Sequence, residues 1–273
     1  MANLLEVKNL TKKYYAGTVE NKVVDGVNLK VEEGEFVIIM GASGSGKTSL
    51  LHLVAGIDDF DEGTIRYTQK AVRGSQLGMA VGKGTQSDGT VDFGHMSETA
   101  KAMFRRTSIG IVFQHQCLIP DLTVYENIML PIMLSGKRKE KAGKKETIIN
   151  LCGQFGLKEH IKKYPSQLSG GQQQRAAILR SVINRPPLLL CDEPTGSLNS
   201  AQSNIVMELL NRLNRIGQTI ILVTHDVKVA VRGSRVIYIE DGRVAGELKF
   251  TDALNSIKQR EEKLMNFLQQ RGW

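Results

Sequence analysis

Three stretches of the chain are apolar without alternation: EFVIIM at 35–40, LLLCD at 188–192 and TIILVT at 219–224. Short runs that never turn polar suit strands buried on both faces of a parallel sheet. Each gives way to glycine, proline or polar residues and then to helical periodicity. That β–α alternation predicts an α/β sheet covered on both faces. The start of the chain is patterned differently. LLEVKNLTKKYY, KVVDGVNLKVEEG and GTIRYTQ alternate apolar with polar positions and are joined by turn residues. They predict an antiparallel sheet with one wet face. Residues 122–184 read as mostly helical. In the tail, Leu254, Ile257, Leu264, Phe267 and Leu268 fall near helical spacing. That predicts a helix packed on the domain, with a partner or membrane surface as the alternative.

Composition narrows the class. The 273 residues are 41% hydrophobic and 23% charged, which suits a globular chain of one large domain or two small ones. Lys and Arg number 36 against 28 Asp and Glu, a net charge of +8. Nucleic acid, an anionic membrane or a phosphate substrate would each account for that excess. Aromatics are 5% and do not interleave with a basic stripe, which argues against a single-strand binder. Cys117, Cys152 and Cys191 are odd in number and widely spaced. They suggest neither a disulfide framework nor a CxxC metal site, so a reducing compartment is expected. The opening MANLLEVKNL is charged where a signal peptide needs an apolar run, and no apolar stretch reaches the length of a membrane span. Any membrane role then needs a second chain to supply the span. The charge run KRKEKAGKKE at 137–146 reads as a solvated helix end or loop, with partner or membrane-surface contact as the alternative.

The chemistry begins at GASGSGKT, residues 41–48. It follows the apolar strand 35–40 and leads into SLLHLVAGI, a helical pattern, which is the context a phosphate-binding loop requires. The nucleotide-binding residues are therefore Gly41, Ala42, Ser43, Gly44, Ser45, Gly46, Lys47, Thr48 and the following Ser49. Glycines let the backbone approach phosphates closely, and free N–H groups at a positive helix end attract them. Lys47 can reach the β- and γ-phosphates, and the Thr48 hydroxyl can bind Mg²⁺. In LLLCDEP, an acid at a strand end supplies the other half of a Mg²⁺ site: Asp192 holds the metal directly or through its waters. Glu193 orients or deprotonates an attacking water. Cys191 reads as a small buried hydrophobe.

A second anion-binding surface follows from LSGGQQQRAAILRSVINRPP at 168–187. Ser169, Gly170, Gly171 and Gln172 open a helix and put free N–H groups and a hydroxyl at its positive end. One phosphate loop has no evident need of it. A two-fold dimer does, because this surface of one chain can close on the nucleotide of the other.

The ordered set GASGSGKT, LSGGQ, LLLCDE and VTHD resembles the ATP-binding subunits of ABC transporters over nearly the whole chain. The resemblance implies a P-loop NTPase (RecA-like) α/β core with a mainly parallel sheet, an antiparallel β subdomain and a helical subdomain, about 116–184, carrying the signature motif. It implies an ATP-binding domain over 1–246 and a helical tail over 247–273. Gln114, in GIVFQ, resembles the family glutamine that senses Mg²⁺ and attacking water and contacts the membrane partner; His225 resembles the switch histidine at the γ-phosphate. Tyr14 resembles the aromatic that stacks on adenine, with Tyr15 as the alternative. The implied cofactors are ATP and Mg²⁺. The implied partners are a second copy of the chain and an integral membrane permease, without nucleic acid, at the cytoplasmic face of the membrane.

KKYYAGTVENKVV, GASGSGKTSLLHLVAGID, LSGGQQQRAAILRS and DEPTGSLNS further resemble the branch serving lipoprotein release, macrolide efflux and antimicrobial-peptide export or resistance. The segment CLIPDLTVYENIMLPIML at 117–134 suits a groove for a permease coupling helix, core packing explaining part of the same pattern. One departure stands out. Asn199 replaces the usual aspartate after SxL, keeping size and hydrogen bonding while losing charge. A cell-division type of ABC ATPase that signals to periplasmic enzymes would carry much the same motifs. A soluble ABC ATPase working on DNA or ribosomes usually has tandem units or a coiled-coil insertion, and neither is visible.

A second glycine-rich stretch, GMAVGKG at 78–84, fails as a phosphate loop. Its glycine spacing is one residue short, Gly84 stands where Ser or Thr should be, and KAVRGSQL before it is no buried strand. LGMAV and TVDFG instead predict an inserted β-hairpin, about 70–95, extending the antiparallel sheet. It reads as a contact for the permease or a regulator, or as a neutral surface loop.

Overall fold

The computed structural model describes residues 3–68, 71, 90–134, 141–250 and 256–273. Two sheets carry the fold. The first is antiparallel and contains β1 (Asn3–Ala16), β2 (Val19–Glu32), β4 (Glu62–Thr68) and β5 (Thr90–Asp92), in the order β2-β1-β4-β5. Along β2 the burial alternates from Val27 onward, the one-wet-face pattern its sequence predicts. The second sheet runs β10-β9-β3-β8-β7-β6. Its strands are β3 (Phe36–Met40), β6 (Ile109–Val112), β7 (Leu188–Asp192), β8 (Thr219–Val223), β9 (Arg235–Glu240) and β10 (Arg243–Lys249). β9, β3, β8, β7 and β6 pair in parallel, and β10 closes one edge antiparallel.

Every residue of β3, β7 and β8 is buried. The period of two sorts them between two cores. Phe36, Ile38 and Met40 enter one core with Leu222, Ile178, Leu210 and Leu268. Val37 and Ile39 enter the other with Leu50, Leu53, Leu190 and Val223, where Leu5, Ile65 and Tyr67 of the antiparallel sheet join them. Both sheets therefore grip the phosphate-binding helix, α1 (Lys47–Ala55).

The remaining helices are α2 (Glu98–Ser108), α3 (Val124–Leu134), α4 (Lys141–Gln154), α5 (Gly170–Val182), α6 (Ser200–Arg215), α7 (Val227–Ala230) and α8 (Ile257–Gln269). The helix expected after TIILVT is only one turn, α7, because the chain turns at Arg232–Gly233 into β9. No helix among the described residues is long and apolar enough to cross a membrane.

Buried Asn127 anchors the segment after the Gln114 loop. Its amide donates to the carbonyls of Ile119, Leu122 and Thr123 at 3.0–3.1 Å and accepts from the Ile119 N–H at 2.8 Å. That satisfies the group's donors, so its burial carries no polar penalty.

In the tail, Leu264, Phe267 and Leu268 are buried in the first core. Ile257 faces solvent, and Leu254 lies outside the described residues. The expected hairpin lies mostly outside them too: only its return strand is seen, as β5, with Val91 opposite Tyr67 on β4. The first part of the charge run also lies outside them, and its second part, from Lys141, begins α4.

Candidate nucleotide site

A cleft of about 500 Å³ opens at the C-terminal ends of β3, β7 and β8. Open α/β sheets bind ligands at this end, where strands give way to loops. Ala42, Ser43, Gly44, Lys47 and Thr48 form one side, and Gln114, Asp192, Glu193 and His225 form the other. Trp273 completes the rim.

The loop is shaped by its own backbone and by its neighbours. Gly46, the N-cap of α1, has φ 97°, in the region that side-chain-bearing residues avoid. A Cβ there would also overlap the Val23 carbonyl of β2. Buried Lys47 donates its Nζ to the Ala42 carbonyl at 2.6 Å and to Ser45 Oγ at 3.4 Å. The ammonium is thus held inside the curve of the loop. Burial pulls its pKa down, and Glu193 and Asp192 oppose that pull. Gly41, Ser45 and Gly46 support the loop from behind, and Ser49, half-buried on α1, does not line the cleft.

Thr48 Oγ1 donates to Asp192 Oδ1 at 3.1 Å. Burial raises the Asp192 carboxyl above its ordinary range, with the Thr48 hydroxyl bond and nearby His52 and Lys47 acting against it. A buried carboxylate beside a hydroxyl is a hard oxygen pair short of positive charge. That donor set fits Mg²⁺, which takes one or two protein oxygens plus phosphates and water. The described residues hold no cluster of three or more His, Cys, Asp or Glu.

Next along the chain, Glu193 has φ 41° and donates its N–H to the Val223 carbonyl at 3.0 Å. A non-glycine residue in this conformation costs about 1–3 kcal/mol and is held by its surroundings. Its Oε1 lies 2.8 Å from His225 Nδ1. A Cβ on Gly196 would stand 3.2 Å from Glu193 Oε2 and 3.4 Å from Gln114 Nε2. Glu193 and Gln114 therefore converge over a glycine that leaves them room, while His225 fixes the other carboxylate oxygen. Cys191, fully buried on β7, has its thiol pushed up by burial, as befits a packing residue.

The signature residues lie elsewhere, at the start of α5, and do not line the cleft. Ser169 Oγ accepts from the Gln172 N–H at 3.4 Å, and Gln172 Oε1 accepts from the Ser169 N–H at 2.8 Å, a reciprocal cap. Gln172 is also tied to His160 at 2.9 Å. Ser169 and Gly170 face solvent. Gly171 is buried, and a Cβ there would overlap the Gln202 side chain of α6. Asn199 caps α6 by accepting from the Gln202 N–H at 2.9 Å, so the capping role that an aspartate would fill is kept. Tyr14 also lies off the phosphate cleft. It pairs with Asn21 across β1 and β2, two residues from the Val23 carbonyl that abuts Gly46. Its hydroxyl donates to Asp58 at 2.5 Å, and Lys12 sits 5.0 Å from its ring centre.

Sequence reasoning missed Trp273, Gly196, Asn127 and Gln202. The last three carry no chemistry of their own; their importance lies in what they leave room for or hold. Trp273 had a signal only in the helix before it, which was read for packing on the domain, with a partner or membrane surface as the alternative.

Fold and cleft together define a P-loop nucleotide hydrolase of the cassette type. The sequence model of the family described as "ABC transporter" matches residues 24–196. The chain belongs to the ABC transporter family and is its ATP-binding, ATP-hydrolysing subunit. It is 38% identical over 248 residues to the lipoprotein-releasing system ATP-binding protein LolD of Geobacter metallireducens, covering 90% of this chain and all of that one. It is also 38% identical to the macrolide export ATP-binding/permease protein MacB of Hyphomonas neptunium, covering 89% of this chain but 34% of that longer protein. Among solved structures, the dimeric, post-hydrolysis ATP-binding cassette MJ0796 bound to ADP and Pi superposes with a TM-score of 0.74 at 35% identity, over 91% of this chain and 99% of that one. These relatives fit the lipoprotein-release and macrolide-efflux branch.

Proposed function

We propose that two copies of this chain close head-to-tail on two ATP molecules and drive a separate integral membrane permease from the cytoplasmic face of the membrane. The observation that carries this reading is the division of the site. Phosphate loop, Asp192, Glu193, Gln114 and His225 gather in one cleft, while Ser169 and Gly170 stand exposed on α5, away from it. A helix start with free N–H groups facing solvent is a half-site for an anion. A second copy supplies that anion, as the γ-phosphate in its own cleft.

In the closed pair, Lys47 and the loop N–H groups hold the β- and γ-phosphates, and Tyr14 stacks on the base. Thr48, Asp192 and Gln114 would hold Mg²⁺, which would supply charge neutralisation at the phosphates. Glu193 orients and deprotonates the attacking water, and His225 keeps its carboxylate aimed. Ser169 and Gly171 of the second copy face the γ-phosphate. Phosphoryl transfer needs mainly positioning and charge stabilisation, which these groups supply. Loss of the γ-phosphate then removes what bridges the two copies.

The permease contact lies along α3 and the edge strand β6, the strand that leads to Gln114. A groove of about 380 Å³ is walled by Leu130, Pro131 and Leu134 of α3 and by Arg105, Arg106 and Arg180. It has an apolar floor and a basic rim, and it suits a short cytoplasmic helix of the permease. The domain plan is one ATP-binding unit over 1–246, with the helical part at 116–184, an insertion at 70–95 and the tail at 247–273. The cargo is an exported or membrane-extracted molecule, or an antimicrobial peptide being resisted. The test is affinity purification of the full chain from its native membranes with ATPase assay of the eluate. A permease should co-elute and stimulate turnover; a chain that co-elutes only with nucleic acid contradicts the reading.

A further inference from the structure

Trp273 is the only tryptophan in the chain, and it stands on the rim of the nucleotide cleft. No motif predicts it there; its position follows from α8. Leu264 and Leu268 are fully buried and Phe267 nearly so, which fixes the helix to the core. The turn after α8 is pinned as well. Arg271 lies 3.8 Å over the Phe267 ring and donates to the Phe267 carbonyl at 2.9 Å and to the Ala245 carbonyl of β10 at 3.3 Å. The Trp273 N–H donates to the Leu268 carbonyl at 3.2 Å. The indole then meets Tyr238 edge-on, ring centres 6.0 Å apart. Tyr238 is the register partner of Met40, the residue just before the phosphate loop.

The end of the cleft it lines is the phosphate end, shared with Ala42–Gly44, Gln114 and His225 and not with Tyr14. An indole offers an N–H donor and a positive ring edge, and no acceptor. That chemistry suits an anionic phosphate oxygen. Trp273 is 40% exposed, and its indole N–H, unlike its backbone N–H, has no acceptor among the described residues. Leu264, Phe267, Leu268 and Arg271 are anchored, and the indole that follows them is presented at the cleft rim with its donor open to a ligand.

We propose that Trp273 is a nucleotide-contacting residue, delivered by α8 to donate to the terminal phosphate of ATP while stacked edge-on against Tyr238. The inference rests on the cleft being the nucleotide site. It adds a contact from outside the recognised motifs and ties α8 and β10 to the nucleotide state.

The experiment uses the full chain with Mg²⁺. A fluorescent ATP analogue whose binding is read from its own label establishes occupancy. In parallel, tryptophan emission is titrated with adenylyl imidodiphosphate and with ADP. Emission should shift saturably with the triphosphate and far less with ADP. Trp273→Phe, which keeps the ring and loses the donor, should raise the KM for ATP about two- to tenfold at unchanged melting temperature, the worth of one net hydrogen bond. Saturable analogue binding with unmoved tryptophan emission and an unchanged KM in Trp273→Phe would overturn the inference alone. Failure of the analogue to bind, or its undiminished binding in Lys47→Ala, would overturn the nucleotide-site reading with it.

Discussion

Glu193 Oε1 and His225 Nδ1 lie 2.8 Å apart, at the ends of neighbouring strands β7 and β8. The pair is local geometry made from distant sequence, and it gives the carboxylate a fixed aim. Replacing His225 by Ala should leave ATP binding within about twofold and lower turnover by about 10²-fold, the lower range for a group that aids proton transfer. Steady-state hydrolysis beside equilibrium nucleotide binding checks it. Equal losses in both would mean that His225 holds the cleft together instead.

Gly46 should not accept a side chain. Alanine there must adopt a left-handed backbone, costing about 1–2 kcal/mol, and its Cβ meets the Val23 carbonyl. Gly46→Ala is expected to abolish nucleotide binding and lower the thermal midpoint. Gly44, at φ 79° but with nothing near its added Cβ, should lose only the backbone term. Calorimetric binding and thermal melts of the two variants side by side test the difference.

Asn127 should matter more than its neutral character suggests. Asn127→Leu strands the Leu122 carbonyl and the Ile119 N–H, while the carbonyls of Ile119 and Thr123 keep the backbone N–H groups of Leu122 and residue 127. Unsatisfied buried groups cost about 1–3 kcal/mol each, so a loss of at least about 2 kcal/mol is expected in denaturant unfolding. Because the loop leads from Gln114 to α3, permease-stimulated turnover should fall further than basal turnover.

Tyr14 is held protonated to unusually high pH. Its hydrogen bond to Asp58 comes first, then burial, and together they push its pKa up to about 12. A phenol whose folded pKa is raised contributes stability below its unfolded value of about 10, and that contribution fades as pH rises through 12. Asp58→Asn should return the titration toward 10. Carbon-13 NMR of labelled tyrosine, with Tyr14→Phe to assign the signal, reads this directly.

Strands β3, β7 and β8 and the phosphate loop were legible in the sequence because each rests on local pattern: unbroken apolar runs, and glycines at fixed offsets before Lys47. Asp192 and Glu193 were legible for the same reason. Strand β6 was hidden in GIVFQ because four residues make too short a run, and β9 because RVIYIE resembles a wet-faced strand until its neighbours bury it. Gly196 and Gln202 were illegible because they act by fit, which no pattern in one sequence records. Trp273 was missed because its place in the cleft depends on how α8 docks, a long-range outcome. Asn199 looked like a loss, and the structure accounts for its capping role only.

The central claim is that the catalytic site is completed by a second copy of the chain. Its most direct test is the mass of Glu193→Gln in solution with Mg²⁺, with and without ATP. With hydrolysis blocked, the variant should bind ATP, turn over at least about 10²-fold more slowly than wild type, and shift from 30.2 kDa to twice that mass only when ATP is present. A variant that binds ATP yet stays at the single-chain mass, or that hydrolyses at the wild-type rate, would contradict the account.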